Sequence, residues 1–197
     1  AHVLLFAEYL GKFATVVSNH PAPTRIRIRW ADGAGERRYG ELKTVGTSVP
    51  VVLDVFPHIM SVLRIIWPDA AVAYESTRRG MDDAATVELT VNGVPCVVDM
   101  ARSGPTRTRL VEVVTASGIL TLDFAIEPGV IGEAGRQYPA DDAWATRPGP
   151  LTLQLRAFLA GAVNARWDRR LSPALAYEVS KLTDPMVTDY FSRRASS

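Results

Sequence analysis

Apolar residues recur at helical spacing in two stretches of the first third of the chain. In residues 3–18 they predict one helix, which the run Asn19-His20-Pro21 ends. The positions that would share its apolar face are Leu5, Tyr9, Phe13, Val16 and Val17. Residues 49–67 predict a second helix with Pro50 in its first turn. Pro57 must either kink this helix or mark its true start.

A strict alternation of apolar and basic residues follows the first helix. In Thr24–Trp30, the side chains of Ile26, Ile28 and Trp30 share one face of a predicted strand, and three arginines share the other. Further strands are predicted over residues 71–79, 84–91, 94–101, 108–115 and 119–125. Short turns such as Asn92-Gly93 separate them, and strands joined in this way pair antiparallel.

The last third of the chain predicts a long loop and two helices. Residues 126–150 are rich in Pro and Gly, and we expect a loop of the kind that often covers a pocket. An amphipathic helix is predicted over residues 151–167, and Ser172-Pro173 should open a last helix. The sequence therefore predicts a single α+β domain, with an open-faced antiparallel sheet of about five strands and helices packed on one face.

Composition and charge narrow the possible partners. The 197 residues carry a formal net charge of +1, so we expect no nucleic-acid or membrane partner. Apolar runs are broken well short of the roughly 20 residues that a membrane span needs. The only cysteine, Cys96, lies in an apolar strand and is expected to be a buried, inert thiol. A cytoplasmic location is the expectation that follows.

Two common kinds of site have no support in the sequence. Gly33-Ala34-Gly35 follows a strand as a dinucleotide-binding loop would, but Arg38 stands where the third glycine belongs and no amphipathic helix follows. The three histidines are not spaced as metal ligands. We therefore expect neither a cofactor site nor a metal site in these residues.

One pair of residues has the spacing of an acid–base site. If residues 53–58 are helical, Asp54 lies one turn before His58 on the same face, and its carboxylate can orient the imidazole. The alternative is structural: Asp54 caps the helix and His58 is a satisfied polar residue of the core. Spacing alone favours the structural alternative, because such pairs are common by chance.

The order of features resembles the second, substrate-binding domain of the Gfo/Idh/MocA oxidoreductases. Residues 53–64 are similar to the family's D-x-G-x-H helix, and residues 113–122 to its glycine-containing hairpin. The resemblance covers about residues 24–192, and residues 1–23 would be an N-terminal helix and a remnant of the segment that joins the two domains. It implies that Asp54 and His58 border the substrate, that His58 moves the hydroxyl proton, and that the sheet forms a homodimer. The family's Rossmann domain has no counterpart in this sequence.

Three functions from different classes are compatible with this sequence. The first is a cofactor-independent isomerase, lyase or cyclase that acts on a specialised metabolite such as a polyketide, with His58 as acid/base and Asp54 as its orienter. Tyr9, Trp30 and Tyr74 are the candidate walls of an apolar substrate pocket. The second is the substrate-binding subunit of an oxidoreductase whose separate Rossmann-domain partner supplies NAD(P). The third is a non-catalytic binding or dimerisation protein.

Overall fold

The elements follow one another in an α+β order. The computed structural model describes residues 2–33, 37–38, 41–42 and 49–192. A 3₁₀ turn (Val3–Phe6) precedes α1 (Glu8–Ser18), β1 (Pro23–Gly33), β2 (Arg37–Arg38), β3 (Glu41–Leu42) and α2 (Val51–Ile66). Seven strands follow: β4 (Val72–Arg79), β5 (Ala84–Val91), β6 (Val94–Gly104), β7 (Thr108–Thr115), β8 (Gly118–Asp123), β9 (Val130–Glu133) and β10 (Arg136–Pro139). Two longer helices then follow, α3 (Pro150–Asn164) and α4 (Ala174–Ser192).

The two helices predicted near the N-terminus are present with shifted starts. Residues 3–6 form a 3₁₀ turn, so the first α-helix begins only at Glu8. Pro50 lies just before α2 with an extended backbone, and Pro57 lies inside the helix and is not its start. One turn after Pro57, the Ser61 hydroxyl donates a hydrogen bond to the Pro57 carbonyl at 2.9 Å.

The main sheet has eight strands in the order β10-β9-β8-β7-β1-β6-β5-β4. The α+β class and the mostly antiparallel open sheet are confirmed, but the predicted five strands were too few. The expectation that β6 and β7 pair was wrong, because β1 lies between them, parallel to β6 and antiparallel to β7. The apolar alternation of β1 explains this central position, since Ile26 and Ile28 are both completely buried.

Two glycines allow the chain to cross the end of β1. Gly33 pairs with Gly104 where β1 and β6 end, and the connection to β7 passes over them. A Cβ on Gly104 would lie 2.9 Å from the Ala31 Cβ, and one on Gly33 would lie 3.2 Å from the Arg107 nitrogen. Gly33 therefore has a packing role. Ala34 and Gly35 of the glycine-containing stretch lie outside the described residues.

Residues 126–150 form less loop than predicted. Strands β9 and β10 make a hairpin at the edge of the sheet, and a short 3₁₀ turn spans Trp144–Thr146. The hairpin turn uses positive φ angles at Ala134 and Gly135, which match the twist of paired strands. Its strands have four residues each, too short to stand out in a stretch rich in Pro and Gly. The predicted pocket-covering loop therefore contains a hairpin of the sheet.

Helices α1, α2 and α4 cover one face of the sheet and share its core. Tyr9, Leu10, Phe13 and Val17 of α1 are buried in the same cluster as α2 and the inner side chains of the strands. The predicted N-cap of the last helix is present, since the Ser172 hydroxyl accepts a hydrogen bond from the Ala174 amide at 3.2 Å. None of the described helices combines the length and the apolar character needed to cross a membrane.

The other face of the sheet carries the arginines of β1, and two of the three form ion pairs. Arg27 contacts Asp99 at 2.8 Å and Arg29 contacts Glu112 at 3.1 Å, each across to a neighbouring strand. Closely placed like charges are costly unless they are paired, and these pairs relieve that cost. Two of the three arginines on the open face are therefore neutralised by neighbouring carboxylates.

The glycine crossing gives a test of the strand order. Replacing Gly104 with Ala should lower the free energy of unfolding by about 1–3 kcal/mol, because the new methyl group overlaps the Ala31 side chain. Replacing Gly11 with Ala is the matched control. It adds the same methyl group within α1, where nothing lies within 4 Å, and it should stabilise by about 0.5–1 kcal/mol. Urea denaturation measures both, and equal effects would contradict the close crossing.

Candidate active site

A cavity of about 380 Å³ lies between the first turns of α2 and the end of β1. This volume is within the range of small-molecule sites. Charged and apolar side chains both line the cavity, so its wall is more polar than the apolar wall expected from the sequence. The lining residues are Val3, Leu4, Trp30, Asp32, Asp54, Val55, His58, Arg107, Arg109, Phe124 and Glu127.

His58 presents its imidazole to this cavity from the second turn of α2. The ring is half-buried and stacks on the Trp30 indole, with centroids 5.4 Å apart and planes 7° apart. Burial lowers the pKa of His58 from its ordinary value of 6.5. Asp54 opposes this shift, while the charges of Arg109 and His2 reinforce it. The lowered pKa favours the neutral imidazole, which is the form that can accept a proton.

Arg109 is the buried cation of the site. It stands opposite Trp30 in the pairing of β1 with β7, and its guanidinium lies 3.9 Å from the centre of the Trp30 ring. It donates to the Ala31 carbonyl at 2.6 Å and the Thr108 carbonyl at 2.8 Å, and it pairs with Asp32. These contacts fix Trp30, and Trp30 in turn supports the imidazole of His58.

Asp54 has a different partner from the one that the sequence predicted. Its side chain is 57% exposed and lies 3.2 Å from a guanidinium nitrogen of Arg102, which is 7% exposed. Arg102 also approaches Asp83 at 3.3 Å, and Asp83 accepts a 2.7 Å hydrogen bond from the Tyr190 hydroxyl. Asp54 and His58 are both described, and no hydrogen bond joins them. Asp54 therefore acts on His58 through its charge.

The three predicted wall residues have three different positions. Trp30 lines the cavity. Tyr9 is completely buried behind the wall, where its hydroxyl donates to a carboxylate oxygen of Glu127 at 3.0 Å. Burial and the neighbouring Glu127 charge raise the pKa of Tyr9. Tyr74 lies outside this cavity, on β4, where its hydroxyl contacts Asp189 of α4. Tyr74 was predicted to line the pocket, but it does not line this cavity, because its hydroxyl takes part in the contact between the edge strand β4 and α4.

The arginines and Glu127 were not predicted as site residues. Arg109 and Arg102 occupy inward-facing positions of β7 and β6, on the same face as buried apolar residues such as Val111 and Met100. An arginine at a strand position that otherwise carries buried apolar residues is a sequence signal for a cation that is paired or functional. Glu127 carried no such signal, because it lies in the connection between β8 and β9.

The described residues fit a small substrate better than a dinucleotide. The pyrophosphate of a nicotinamide cofactor typically binds at a helix N-terminus after a glycine-rich turn. The helix N-terminus nearest the cavity is that of α2. The amide of its first residue, Val51, already lies 3.4 Å from the Asp83 carboxylate. No group of three or more His, Cys, Asp or Glu among the described residues could hold a metal ion.

Comparisons with known proteins establish the fold. Neither a protein-family model nor a curated protein sequence matches the chain. A solved structure of a 3-ketoreductase from Actinomadura kijaniata, in complex with TDP-benzene and NADP, matches with TM-score 0.71 at 15% identity, over 95% of this chain and 60% of that one. D-galactose-1-dehydrogenase from Rhizobium etli matches with TM-score 0.66 at 13% identity, over 94% and 59%.

A third solved structure also matches at low sequence identity and over only part of its own length. UDP-N-acetylglucosamine 3-dehydrogenase from Acidithiobacillus ferrooxidans aligns with TM-score 0.58 at 14% identity, over 86% of this chain and 55% of that one. The chain thus spans about 60% of the length of the solved structures it matches. These enzymes are of the Gfo/Idh/MocA type, and the chain has the fold of their C-terminal domain. The resemblance found in the sequence is confirmed at the level of fold.

The charge of Asp54 gives a direct test of the electrostatics. Asp54→Asn should lower the pKa of His58 further, because the negative charge that favours the imidazolium is removed. Histidine NMR signals followed against pH measure the shift. Asp99→Asn, on the opposite face of the sheet, removes an equal charge and should leave His58 unchanged. An unchanged His58 titration in Asp54→Asn would contradict the coupling.

Proposed function

We propose that the chain is an acid–base enzyme that needs no nicotinamide and acts on a small metabolite bearing hydroxyl and keto groups. The observation that carries this proposal is the imidazole of His58, stacked on Trp30 at the wall of a cavity of substrate size. Isomerisation, elimination and ring closure all require this kind of proton transfer. Hydride transfer would need a bound nicotinamide, because the cofactor carries that chemistry.

The proposed reaction begins with proton transfer to His58. The neutral imidazole accepts a proton from a substrate hydroxyl, or from a carbon next to a carbonyl group. Negative charge then develops on a substrate oxygen, and the positive charges of Arg107 and Arg109 at the cavity wall stabilise it. The imidazolium returns its proton to another atom of the substrate, which completes an isomerisation with no net change in oxidation. Asp54 stabilises the imidazolium between these two steps.

The lining of the cavity favours a hydroxyl-rich substrate. Aromatic faces such as Trp30 pack against the C–H groups of such a molecule, while the carboxylates and arginines pair with its hydroxyl groups. The matched structures include a galactose dehydrogenase and a UDP-N-acetylglucosamine dehydrogenase, which supports a sugar-like substrate. A specialised metabolite such as a polyketide, which is less polar than a sugar, is the alternative substrate.

A second candidate is the substrate-binding subunit of an oxidoreductase. The observation in its favour is the ketoreductase structure that holds NADP together with TDP-benzene and that shares this fold. In this case a separate nicotinamide-binding protein completes the active site. His58 would then move the hydroxyl proton while hydride passes between substrate and cofactor.

Solvent exchange tests the proposed chemistry without knowledge of the natural substrate. The chain is incubated in D₂O with a panel of sugars, sugar nucleotides and β-keto compounds, and NMR detects deuterium incorporated next to the carbonyl groups. We expect exchange with no cofactor added, and we expect His58→Ala to reduce it about 10²–10⁴-fold. His20→Ala removes an imidazole near Glu133, outside the cavity lining, and serves as the matched control.

The outcomes separate the candidates. Exchange that persists in a folded His58→Ala protein would contradict the assigned base. Turnover that requires NAD(P) and an added nicotinamide-binding protein would favour the two-chain oxidoreductase. Saturable binding of a substrate without exchange or turnover would favour the third candidate, a non-catalytic binding protein.

We also propose that the open face of the sheet forms a homodimer. Ion pairs neutralise Arg27 and Arg29, two of the three arginines on that face, and Val97, Leu110 and Val114 lie beside them on the same side of the strands. Light scattering at micromolar concentration should give twice the chain mass of 21.5 kDa. Leu110→Glu should shift the mass towards the monomer, and a monomeric unmodified protein would contradict the proposal.

A further inference from the structure

Helix α3 presents its apolar face outwards. Leu151, Leu155, Phe158 and Ala162 recur at intervals of four, three and four residues, so they form one stripe along the helix. The larger exposed apolar side chains of this region are between 52% and 81% accessible: Leu151, Leu155, Phe158, Leu159, Val163, Trp167 and Tyr177. The polar Gln154 of the same helix is buried. This arrangement is the reverse of a helix packed on its own core, and contiguous exposure of this kind marks a contact surface.

The apolar stripe of α3 borders a groove of about 520 Å³. The groove lies between α3 and residues 167–176, and its lining includes Leu155, Phe158 and Pro173. Trp167 forms one end, packed on Phe158 with ring centroids 5.6 Å apart. Gly161 makes this possible, because a Cβ there would lie 2.6 Å from the indole. The groove is therefore shaped by specific packing.

The segment that forms most of the groove lining carries more positive than negative charge. Residues 150–176 contain four arginines and one acidic residue, Asp168, which gives this segment a formal charge of +3. Asp168 pairs with Arg170 at 2.7 Å, and the Arg170 guanidinium is also held 4.0 Å from the centre of the Phe6 ring. Arg156, Arg166 and Arg169 are exposed. An occupant of the groove therefore meets a mostly apolar lining that includes Arg170, with further exposed arginines in the same segment.

We propose that this groove binds an amphipathic helix of a partner protein, with apolar side chains along one face and acidic residues on its flanks. A helix that presents side chains at i, i+3/i+4 and i+7 matches a groove of this kind, and acidic flanks complement the arginines. A second copy of this surface would bring another charge of +3 against the first, which disfavours self-association here. A lipid surface fits a protruding amphipathic helix better than a concave groove.

A synthetic helix tests the proposal. The probe is a fluorescently labelled peptide of about 18 residues, with leucines at helical spacing and glutamates on both flanks, and fluorescence anisotropy follows its binding to the full chain. We expect saturable binding that weakens as salt is raised from about 0.05 to 0.5 M. A peptide with lysine in place of every glutamate should bind at least about tenfold more weakly.

Two variants assign the binding to the groove. Leu155→Glu places a charge in its apolar lining and should weaken binding of the acidic peptide at least about tenfold. Ala160→Glu adds the same charge to an exposed position of α3 outside the lining and should have a much smaller effect. Circular dichroism is used to check that both variants remain folded.

Four results would overturn the proposal. They are no saturable binding of the acidic peptide, equal binding of the lysine peptide, and binding that Leu155→Glu leaves intact. The fourth is a preference for another occupant. Leu155-dependent sedimentation with phosphatidylserine vesicles would assign the surface to a membrane, and a Leu155-dependent mass change in light scattering would assign it to a second copy.

Discussion

The central position of β1 is the constraint on which the candidate site depends. Inserted between β6 and β7, this strand places Trp30 directly opposite Arg109 and beneath the second turn of α2. The guanidinium of Arg109 then lies against the indole of Trp30, and the indole supports the imidazole of His58. If β6 and β7 were neighbours, Arg109 would have no Trp30 beside it. The crossing at Gly33 and Gly104 is what allows the insertion.

Charge pairing explains how so many ionisable groups share a small space. Arg109 is paired with Asp32, and Arg102 lies between Asp54 and Asp83. Each buried cation thus has a carboxylate partner, as burial requires. His58 differs from these groups because its neutral form is favoured by burial. A proton acceptor among paired charges is the arrangement expected for general base catalysis.

Local spacing predicted part of this site and tertiary structure decided the rest. The i, i+4 interval placed Asp54 and His58 on one helix face, and the alternation of β1 placed Trp30 on the inner face of the sheet. Spacing within α2 could not show that Arg102, from β6, is the partner of Asp54, because that contact joins residues distant in sequence. Tyr74 has the same aromatic character as Trp30, but it lies on an edge strand against α4.

The same limit applies to the fold. Hairpins with clear turn residues were predictable strand by strand, whereas the insertion of β1 is a long-range pairing without a local signal. The β9–β10 hairpin was missed because its strands are short and its turn, Ala134-Gly135, lacks the usual Asn or Asp. The inverted polarity of α3 was also invisible in the sequence, where an amphipathic helix carries no mark of which face is buried.

The protonation state of His58 in the unmodified protein is the most direct test of this account. Three histidines give three NMR titration curves, and the spectrum of a His58→Gln variant assigns the relevant one. We expect His58 to titrate below 6.5 and therefore to be mainly neutral at pH 7. We also expect a small molecule bound in the cavity to shift this signal. A His58 that titrates at or above 6.5 would contradict its role as a neutral base.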